Sequence, residues 1–389
     1  MKIEEVNNAA LAQEFIHFPI RLYKNEKRWI RPLDKDIEAV FDRSKNKKFR
    51  DGDCIRWVLK DNDGETLGRI AAFFDNKSKN KNNDQPTGGV GFFECINDQS
   101  AANLLFDTSK AWLEQKGLEA MDGPINFGER DRWWGCLIEG FDIEPNYCCN
   151  YNFPYYSNLF ENYAFKTYFK QYTYSRKVLD PVSGRYQEKA DYITNDPKFH
   201  VTHMDKKKLD TYTRYFVDIY NKAWSGHKGV PKLQYNTARL MMKQMKPIMD
   251  EKIMVFAFYD NEPIGFFISL PEVNQIFKYV NGKLDWIGKI KFLWHQWRRT
   301  NKKMYGVVFG VVPEFHRRGV DGAMIVYARN ILHYKHKRYN YLEMNWIGDF
   351  NPKMINMIKH LDTEVSKTHI TYRKLFDESR PFKRHPILN

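Results

Sequence analysis

Hydrophobic and polar positions along the chain fall into two kinds of segment, one typical of strands and one typical of helices, and the two kinds alternate along the chain. Short apolar runs predict buried strands, and apolar residues three or four positions apart predict helices. A tight turn leading into a strand is predicted over 63–73, and further strands are predicted over 89–96, 118–122, 167–178, 252–259, 264–270, 304–312, 339–346 and 367–376. The helices are predicted over 98–116, 154–163, 211–223, 235–249, 321–334 and 352–360. Residues 1–60 predict an extension of helices and turns, so the pattern as a whole indicates an α/β protein.

The two halves of the chain resemble each other. The turn at 63–65 with the Leu-Gly pair at 67–68 matches the turn at 260–262 with the Ile-Gly pair at 264–265, at an offset of 197 residues (260 minus 63). Late in each half, 158–161 matches 356–359 at an offset of 198 (356 minus 158). A near-constant offset predicts a duplicated domain, with a first unit at 1–190 that includes the N-terminal extension and a second unit at 191–389.

Composition narrows the class of protein. Hydrophobic residues make up 42% of the chain and aromatic residues 16%, which favours a packed core over disorder. No apolar run is long enough to cross a bilayer, and the first residues lack a secretion signal, so we expect a cytoplasmic protein. The five cysteines follow no metal-ligand spacing, which predicts reduced thiols and no metal. A net charge of +14 favours anionic partners without choosing among them.

The stretch 306–324 carries the clearest chemistry. An apolar strand stops at Pro313, and the chain then passes through Arg317, Arg318 and Gly319 into a helix. Backbone N–H groups at the start of a helix attract anions, and arginine adds charge and paired donors. The stretch therefore predicts an anion-binding loop.

This stretch resembles the acyl-CoA-binding motif of the GNAT (Gcn5-related N-acetyltransferase) superfamily, in which a strand and a Pro-Glu turn precede Gln/Arg-x-x-Gly-x-Gly/Ala. His316 stands at the Gln/Arg position, Gly319 at the central glycine and Asp321 at the final small residue, with Gly322 next to it. The resemblance covers 198–376 and, more faintly, 60–178. Through Gly-Arg-Ile-Ala at 68–71 and Gly-Pro-x-Asn-Phe at 123–127, the chain also resembles bacterial proteins with two tandem GNAT-like domains.

The resemblance implies an α/β fold with two tandem GNAT-like lobes, whose mixed, mostly antiparallel sheets are flanked by helices. It implies acetyl-CoA or another acyl-CoA as co-substrate and an amine as acceptor. Strand 304–312 would splay from strand 339–346, and the pantetheine arm would pair with the backbone of Gly310 and Val312. The pyrophosphate would lie against His316, Arg317, Arg318, Gly319, Val320, Asp321 and Gly322. The first half has no such loop at 97–100, so we expect only the second half to bind the cofactor.

Two other functions stay open at this stage. One is a peptide transferase of similar two-lobe fold that uses aminoacyl-tRNA. The other is a protein that binds CoA or another ligand without catalysis, because Asp321 and a missing tyrosine both weaken the motif. Superfamily members often place a tyrosine acid on the helix after the fifth strand, where this chain has Ile358, and Phe160 in the first half.

Candidate catalytic residues follow from the chemistry of amine acylation, which needs a proton acceptor and a donor for the leaving thiolate. Tyr372 on the last strand and Tyr305 are the two candidate acids, and the sequence does not rank them. Alternation places Glu343 in mid-strand beside the expected cleft, which makes it the candidate base. The alternative for Glu343 is a structural carboxylate paired with a lysine or arginine. Asp321 is also a candidate helix N-cap.

A basic, aromatic insertion covers 276–303. Its apolar residues fall at helical spacing on one face and are surrounded by lysines and arginines. Such a segment is typical of an interfacial helix on anionic membrane lipid, of a lid over a greasy group, or of a helix packed on the neighbouring half. Nucleic-acid binding is not expected, since no known motif frames the segment. The apolar residues are Leu284, Ile287, Ile290, Trp294 and Trp297.

Overall fold

The protein is described by a computed structural model that covers residues 1–81, 83–181, 184–224, 232–359 and 361–388. Thirteen strands of the described chain form one sheet. They are β1 Lys2–Glu5, β2 Gly52–Lys60, β3 Thr66–Asp75, β4 Thr87–Cys95, β5 Ala120–Gly123, β6 Cys136–Glu139, β7 Lys166–Lys177, β8 Phe199–His203, β9 Met254–Tyr259, β10 Glu262–Pro271, β11 Lys303–Val311, β12 Tyr341–Gly348 and β13 Glu364–Leu375.

Helices flank this sheet. They are α1 Ala9–Leu22, α2 Asp34–Phe41, α3 Gln99–Gln115, α4 Tyr156–Asn162, α5 Gly184–Thr194, α6 Leu209–Trp224, α7 Tyr235–Met245, α8 Asn274–Phe277, α9 Trp286–Trp297, α10 Val320–Asn330 and α11 Pro352–Lys359. A π-helical turn, Ile331–Lys335, continues α10. No helix of the described residues has the length and apolar character needed to cross a bilayer.

The strands lie in the order β1-β2-β3-β4-β5-β13-β7-β12-β11-β10-β9-β8, and β6 pairs with β13. Most neighbours are antiparallel, whereas β4 with β5 and β11 with β12 are parallel. Each parallel pair joins a strand to the one that follows its crossover helix, α3 in the first half and α10 in the second. The expected α/β fold with mixed, mostly antiparallel pairing is therefore confirmed, and the strands of the two lobes join in one continuous sheet.

The two halves exchange their last strands. The last strand of the first half, β7, pairs with β12 of the second half through contacts such as Tyr174 with Met344. The last strand of the second half, β13, lies between β7 and β5, with Arg373 opposite Asp122. Each lobe is thus completed by a strand from the other. The division expected between residues 190 and 191 falls inside α5.

The core is split between the two sides of this exchange. One cluster lies under α3 and α4, and another lies under α5, α6 and α10. Several elements were not expected from the sequence: strands β1, β2, β6 and β8, and the polar helix α5 at 184–194. Among the side chains of this helix that the structure describes, the buried ones are Tyr186, Ala190 and Ile193, at i, i+4 and i+7, which is too sparse a pattern to stand out. Predicted helix 352–360 forms over Pro352–Lys359, and residue 360 lies outside the described part.

Candidate functional site

The expected splay between two parallel strands is present in the second half. The ladder of β11 with β12 runs from Lys303 opposite Tyr341 to Gly306 opposite Met344 and ends there. Both strands continue beyond that point, β11 to Val311 and β12 to Gly348. They therefore separate toward their carboxyl ends and leave a gap between them, which we call the β11–β12 gap.

A β-bulge marks the start of the β11–β12 gap. Ile268 of β10 faces Val308, but the next residue, Ser269, faces Gly306, so Val307 is the extra residue on β11. The other half has a similar irregularity in β4, where Arg69 faces Glu94 and Ala71 faces Gly91. Both equivalent strands thus bulge near the point where they leave their parallel partner. The sequence predicted the splay but not the bulge.

The bulge decides which backbone groups face the β11–β12 gap. The N–H of Val312 donates to the carbonyl of Ile264 at 2.9 Å. Since the N–H and C=O of one strand residue point to the same side, Val312 and Gly310 turn toward β10. Phe309 and Val311 then face the gap, and the Val311 carbonyl lies 2.9 Å from His316 Nε2. The expectation that the backbone of Gly310 and Val312 lines the gap is therefore corrected by one residue, because Phe309 and Val311 face it instead.

The loop after β11 presents two exposed cations at the start of α10. Residues 313–315 form a short 3-10 turn, and Arg317 and Gly319 adopt positive φ values of 63° and 88°. Arg317 and Arg318 are exposed, and neither forms an ion pair with a residue that the structure describes. Gly319 caps α10, so the expectation that Asp321 is the N-cap is corrected. Asp321, half-buried, is the second residue of the helix.

Helix α5 lies against the first turn of α10. A Cβ atom on Gly319 would lie 2.5 Å from the Lys189 carbonyl oxygen, and one on Gly322 would lie 3.0 Å from that of Tyr186. The contact at Gly319 leaves no room for a Cβ atom, and the one at Gly322 is tighter than an ordinary contact, so the close approach of α5 accounts for both glycines. Helix packing thus explains the two glycines without a ligand, whereas the exposed Arg317 and Arg318 and the start of α10 are groups that attract anions.

The equivalent gap in the first half is closed by the chain itself. The ladder of β4 with β5 ends at Gly89 opposite Asp122, and the Ile125 N–H then donates to the Val90 carbonyl at 2.8 Å. At the end of β4, the N–H of Cys95 donates to Tyr156 Oη at 3.1 Å, and its carbonyl accepts from Tyr155 Oη at 2.8 Å. The backbone N–H and carbonyl of Cys95, the residue that corresponds to Val311, are therefore already paired.

Known proteins agree with this architecture. No protein-family model matches the chain. A solved structure of a tandem GNAT protein from the clavulanic acid biosynthesis pathway superposes with a TM-score of 0.53 at 9% identity, covering 97% of this chain and all (100%) of that one. The chain has a tandem GNAT fold. This shared fold does not identify an acceptor substrate, because structures so distant in sequence share architecture rather than function.

Two curated proteins resemble this chain over nearly its whole length. Protein YghO of Escherichia coli (strain K12) is 25% identical over 369 residues, which cover 92% of each chain. A bacterial ceramide synthase of Caulobacter vibrioides is 24% identical over 378 residues, covering 96% of this chain and 97% of that protein. The similarity therefore spans both lobes.

Glu343 lies in a buried ion-pair cluster. Its Oε1 is 2.7 Å from Lys367 Nζ on β13, and its Oε2 is 2.8 Å from Lys303 Nζ on β11. Burial alone raises the pKa of Glu343, but the two lysines outweigh burial and hold that pKa at about 2. A carboxylate held ionised in this way accepts protons poorly near neutral pH. The geometry thus favours the structural alternative for Glu343 over the base.

Tyr372 belongs to the first lobe, because β13 is exchanged. Its ring stacks on Phe160 in the core beneath α3, and its hydroxyl donates to Glu161 at 2.9 Å. Burial, together with Cys136 and Glu161, raises the pKa of Tyr372 far above its usual range. The buried hydrophobic residues of 311–324 lie in the other large cluster, that of the second lobe. The structure therefore does not bring Tyr372 to the β11–β12 gap.

A cavity of about 510 Å³ lies where the two lobes meet. It is bounded by strands of the first lobe, by segment 125–134 and by Phe350 after β12. Asn126 and Trp134 line it, and their buried Oδ1 and Nε1 atoms have no hydrogen-bond partner among the described residues. Trp346, on β12 beyond the end of its ladder with β11, donates its indole N–H to the Arg130 carbonyl at 3.1 Å. Segment 125–134, which bounds the cavity, therefore contacts β12, which bounds the β11–β12 gap.

The sequence did not single out this cavity as a site. Its one signal was the Gly-Pro-x-Asn-Phe run at 123–127, which supported the resemblance and contains Asn126. No cluster of three or more His, Cys, Asp or Glu side chains that could hold a metal ion occurs in the described ranges.

Proposed function

We propose that this protein is an N-acyltransferase that moves an acyl group from acyl-CoA to an amine. The observation that carries the proposal is the β11–β12 gap, which opens directly before a helix start with two exposed arginines. The gap suits an extended pantetheine arm, and Arg317 and Arg318 suit the pyrophosphate. Closure of the equivalent gap in the first lobe supports a single cofactor site in the second.

We infer further that the acceptor is a long-chain amino alcohol and that the acyl group is a fatty chain. The support is the full-length similarity to a protein named as a ceramide synthase, because a ceramide is the amide of a fatty acid with such an amine. The cavity at the lobe junction suits the polar head of this acceptor. Trp134 Nε1 offers a donor, Asn126 Oδ1 an acceptor, and Phe169 and Phe350 offer apolar walls.

The reaction would form one bond and break another. The acceptor nitrogen attacks the thioester carbonyl carbon, the C–S bond breaks, and the departing thiolate takes up the proton that the nitrogen releases. An oxyanion on the carbonyl needs an N–H donor. The N–H of Val312 is occupied by Ile264, so the donor assigned to this role is the N–H of Val311, which faces the gap.

Ligand-dependent stability tests the cofactor site. Fatty acyl-CoA at saturating concentration should raise the melting temperature of the intact protein. Arg318→Glu should abolish most of this rise, since it replaces a cation beside the pyrophosphate with an anion. Arg28→Glu is the matched control, because Arg28 is also exposed but lies in the first lobe. An unchanged melting temperature with acetyl- and long-chain acyl-CoA alike would refute the cofactor site.

Product analysis tests the acceptor separately. Purified protein with palmitoyl-CoA and a long-chain amino alcohol should yield the N-acyl amide and free CoA, detected by mass spectrometry and thiol titration. Trp134→Phe should raise the acceptor KM by about tenfold, the equivalent of one lost hydrogen bond to a polar group, and leave the CoA-dependent melting shift intact. CoA binding without amide formation from any amine would retain the cofactor site and reject the acyltransferase.

A further inference from the structure

Helix α9 turns an apolar face outward. The side chains of Trp286, Ile290, Leu293 and Trp297, at i, i+4, i+7 and i+11, are exposed by 71%, 59%, 61% and 75%. Ile287 and Trp294 lie beside them on the same side and are also exposed. Within α9, Gly288 alone is classed as buried. The expected packing of this face on the neighbouring half is therefore not what the structure shows.

The opposite side of α9 fixes the helix to the protein. A Cβ atom on Gly288 would lie 2.0 Å from the Lys283 carbonyl oxygen, so the helix passes close to its own preceding turn. The Phe292 ring packs on Phe277, and His295 stacks on Tyr279 with ring centroids 3.9 Å apart. Because this inner side is held in place, the outward direction of the tryptophans is a property of the fold.

Positive charge surrounds the apolar face. Between residues 273 and 302 the only acidic residue is Asp285, and its carboxylate caps α9 by accepting from the Gly288 N–H at 2.8 Å. The cations in and around the helix are Lys283, Lys289, Lys291, Arg298, Arg299 and Lys302. A tryptophan-bearing apolar stripe between basic side chains is suited to the boundary between anionic head groups and acyl chains.

We propose that α9 docks this protein onto the surface of an anionic bilayer. The tryptophans and aliphatic side chains enter the head-group boundary, and the surrounding lysines and arginines contact anionic lipid. A second copy of the chain suits this face less well, because the same cations would face each other across a two-fold interface. The inference stands on exposure and charge, and it does not depend on the proposed acyl transfer.

Vesicle flotation tests the docking. The intact protein should float with vesicles of 70% phosphatidylcholine and 30% phosphatidylglycerol in 0.1 M salt, and far less with pure phosphatidylcholine or in 1 M salt. The double variant Trp286→Ser/Trp297→Ser and the double variant Lys289→Glu/Lys291→Glu should each lower the bound fraction by about tenfold. Both change exposed side chains, so circular dichroism should stay native.

Tyr192→Ser is the matched control, because Tyr192 on α5 is an equally exposed aromatic side chain outside the α9 face. It should bind vesicles like the parent. The docking is overturned if the parent fails to float with anionic vesicles, or if the tryptophan double variant floats as well as the parent. It is also overturned, in favour of a second copy, if the parent is a dimer by light scattering that the tryptophan variant splits while vesicle binding persists.

Discussion

Glu343 shows what a single residue's position in a strand does and does not reveal. Alternation along β12 placed it correctly away from Leu342 and Met344, on the same side as Tyr341. The pattern contained no information about Lys367, which comes from β13 and reaches Glu343 only because the halves exchange strands. From the sequence alone, a mid-strand carboxylate beside a cleft therefore indicates a base. In the structure, the two lysine partners of Glu343 indicate a structural ion pair instead.

Removing the charge of Glu343 should destabilise the protein strongly. Glu343→Gln would leave the buried Lys367 ammonium without a carboxylate partner and would remove the direct ion pair of Lys303, a loss of about 3 to 5 kcal/mol in the free energy of unfolding. Urea unfolding measures this value. Glu364→Gln, on the exposed start of β13, is the control and should change stability by less than about 0.5 kcal/mol. Wild-type stability in Glu343→Gln would show that the cluster is not an ion pair in solution.

Protonation of His369 is expected to be the first step by which acid destabilises the folded protein. Burial lowers its pKa from 6.5 to about 4, against the effect of the Asn150 carbonyl, which its Nε2 approaches at 3.2 Å. A folded pKa below the unfolded one favours the neutral ring in the fold. The contribution of His369 to the free energy of unfolding is therefore complete above pH 6.5 and is lost as pH falls toward 4, by up to about 3 kcal/mol. Glu343 adds a loss only between pH 4.5 and 2.

Urea unfolding at pH 7 and pH 4.5 tests this order. The parent should lose most of the His369 contribution over that interval, and His369→Gln should lose much less because it has no ring to protonate. An equal loss in the variant would assign the pH dependence to other groups.

At the scale of elements, the exchange of β7 and β13 could not be predicted from the sequence. Period-two alternation identifies which face of a strand is buried but not which strand lies beside it. Local signals located β7 and β13 to within a few residues, as they did β4, β9, β10 and β11. Only the folded chain shows that each lobe takes its closing strand from the other half.

Cutting the chain at 190/191 tests this exchange. Fragment 1–190 would expose β5 and the edge of β7, and fragment 191–389 would expose β12, since each partner strand lies on the other fragment. We expect each fragment alone to aggregate or to lack a cooperative thermal transition, and we expect the co-expressed pair to recover both. Two monomeric fragments that each unfold cooperatively would show that the lobes close independently.

The contact between α5 and α10 predicts a difference between two glycines. Gly319 and Gly64 have nearly equal φ values of 88° and 86°, but only at Gly319 does a Cβ atom meet another group within 4 Å. Gly64→Ala should cost about 1 to 2 kcal/mol from the left-handed backbone alone. Gly319→Ala should cost about 1 to 3 kcal/mol more, because α5 must shift. Equal losses in thermal unfolding would mean that α5 does not lie against α10.

At the scale of the whole molecule, the tandem organisation was the most predictable feature. Turn chemistry and a repeated order of elements revealed the duplication, because each lobe keeps its own local signals. The candidate site was less predictable. The loop 313–319 and the splay were expected, but the bulge at Val307 shifted the pairing groups, and the cavity depends on segments far apart in sequence. Exposure of the α9 face also follows from packing, which the helical pattern leaves open.

The central claim is that one acyl-CoA lies between β11 and β12 and that the first lobe holds none. Hydrogen exchange with mass spectrometry, with and without saturating acyl-CoA, tests it most directly. We expect added protection at 307–312 and at the start of α10, where the Phe309 and Val311 groups and the helix N–H groups meet the ligand. Residues 90–97 should not change, since Tyr155 and Tyr156 already pair with Cys95. Protection confined to 90–97, or absent from both segments, would contradict the account.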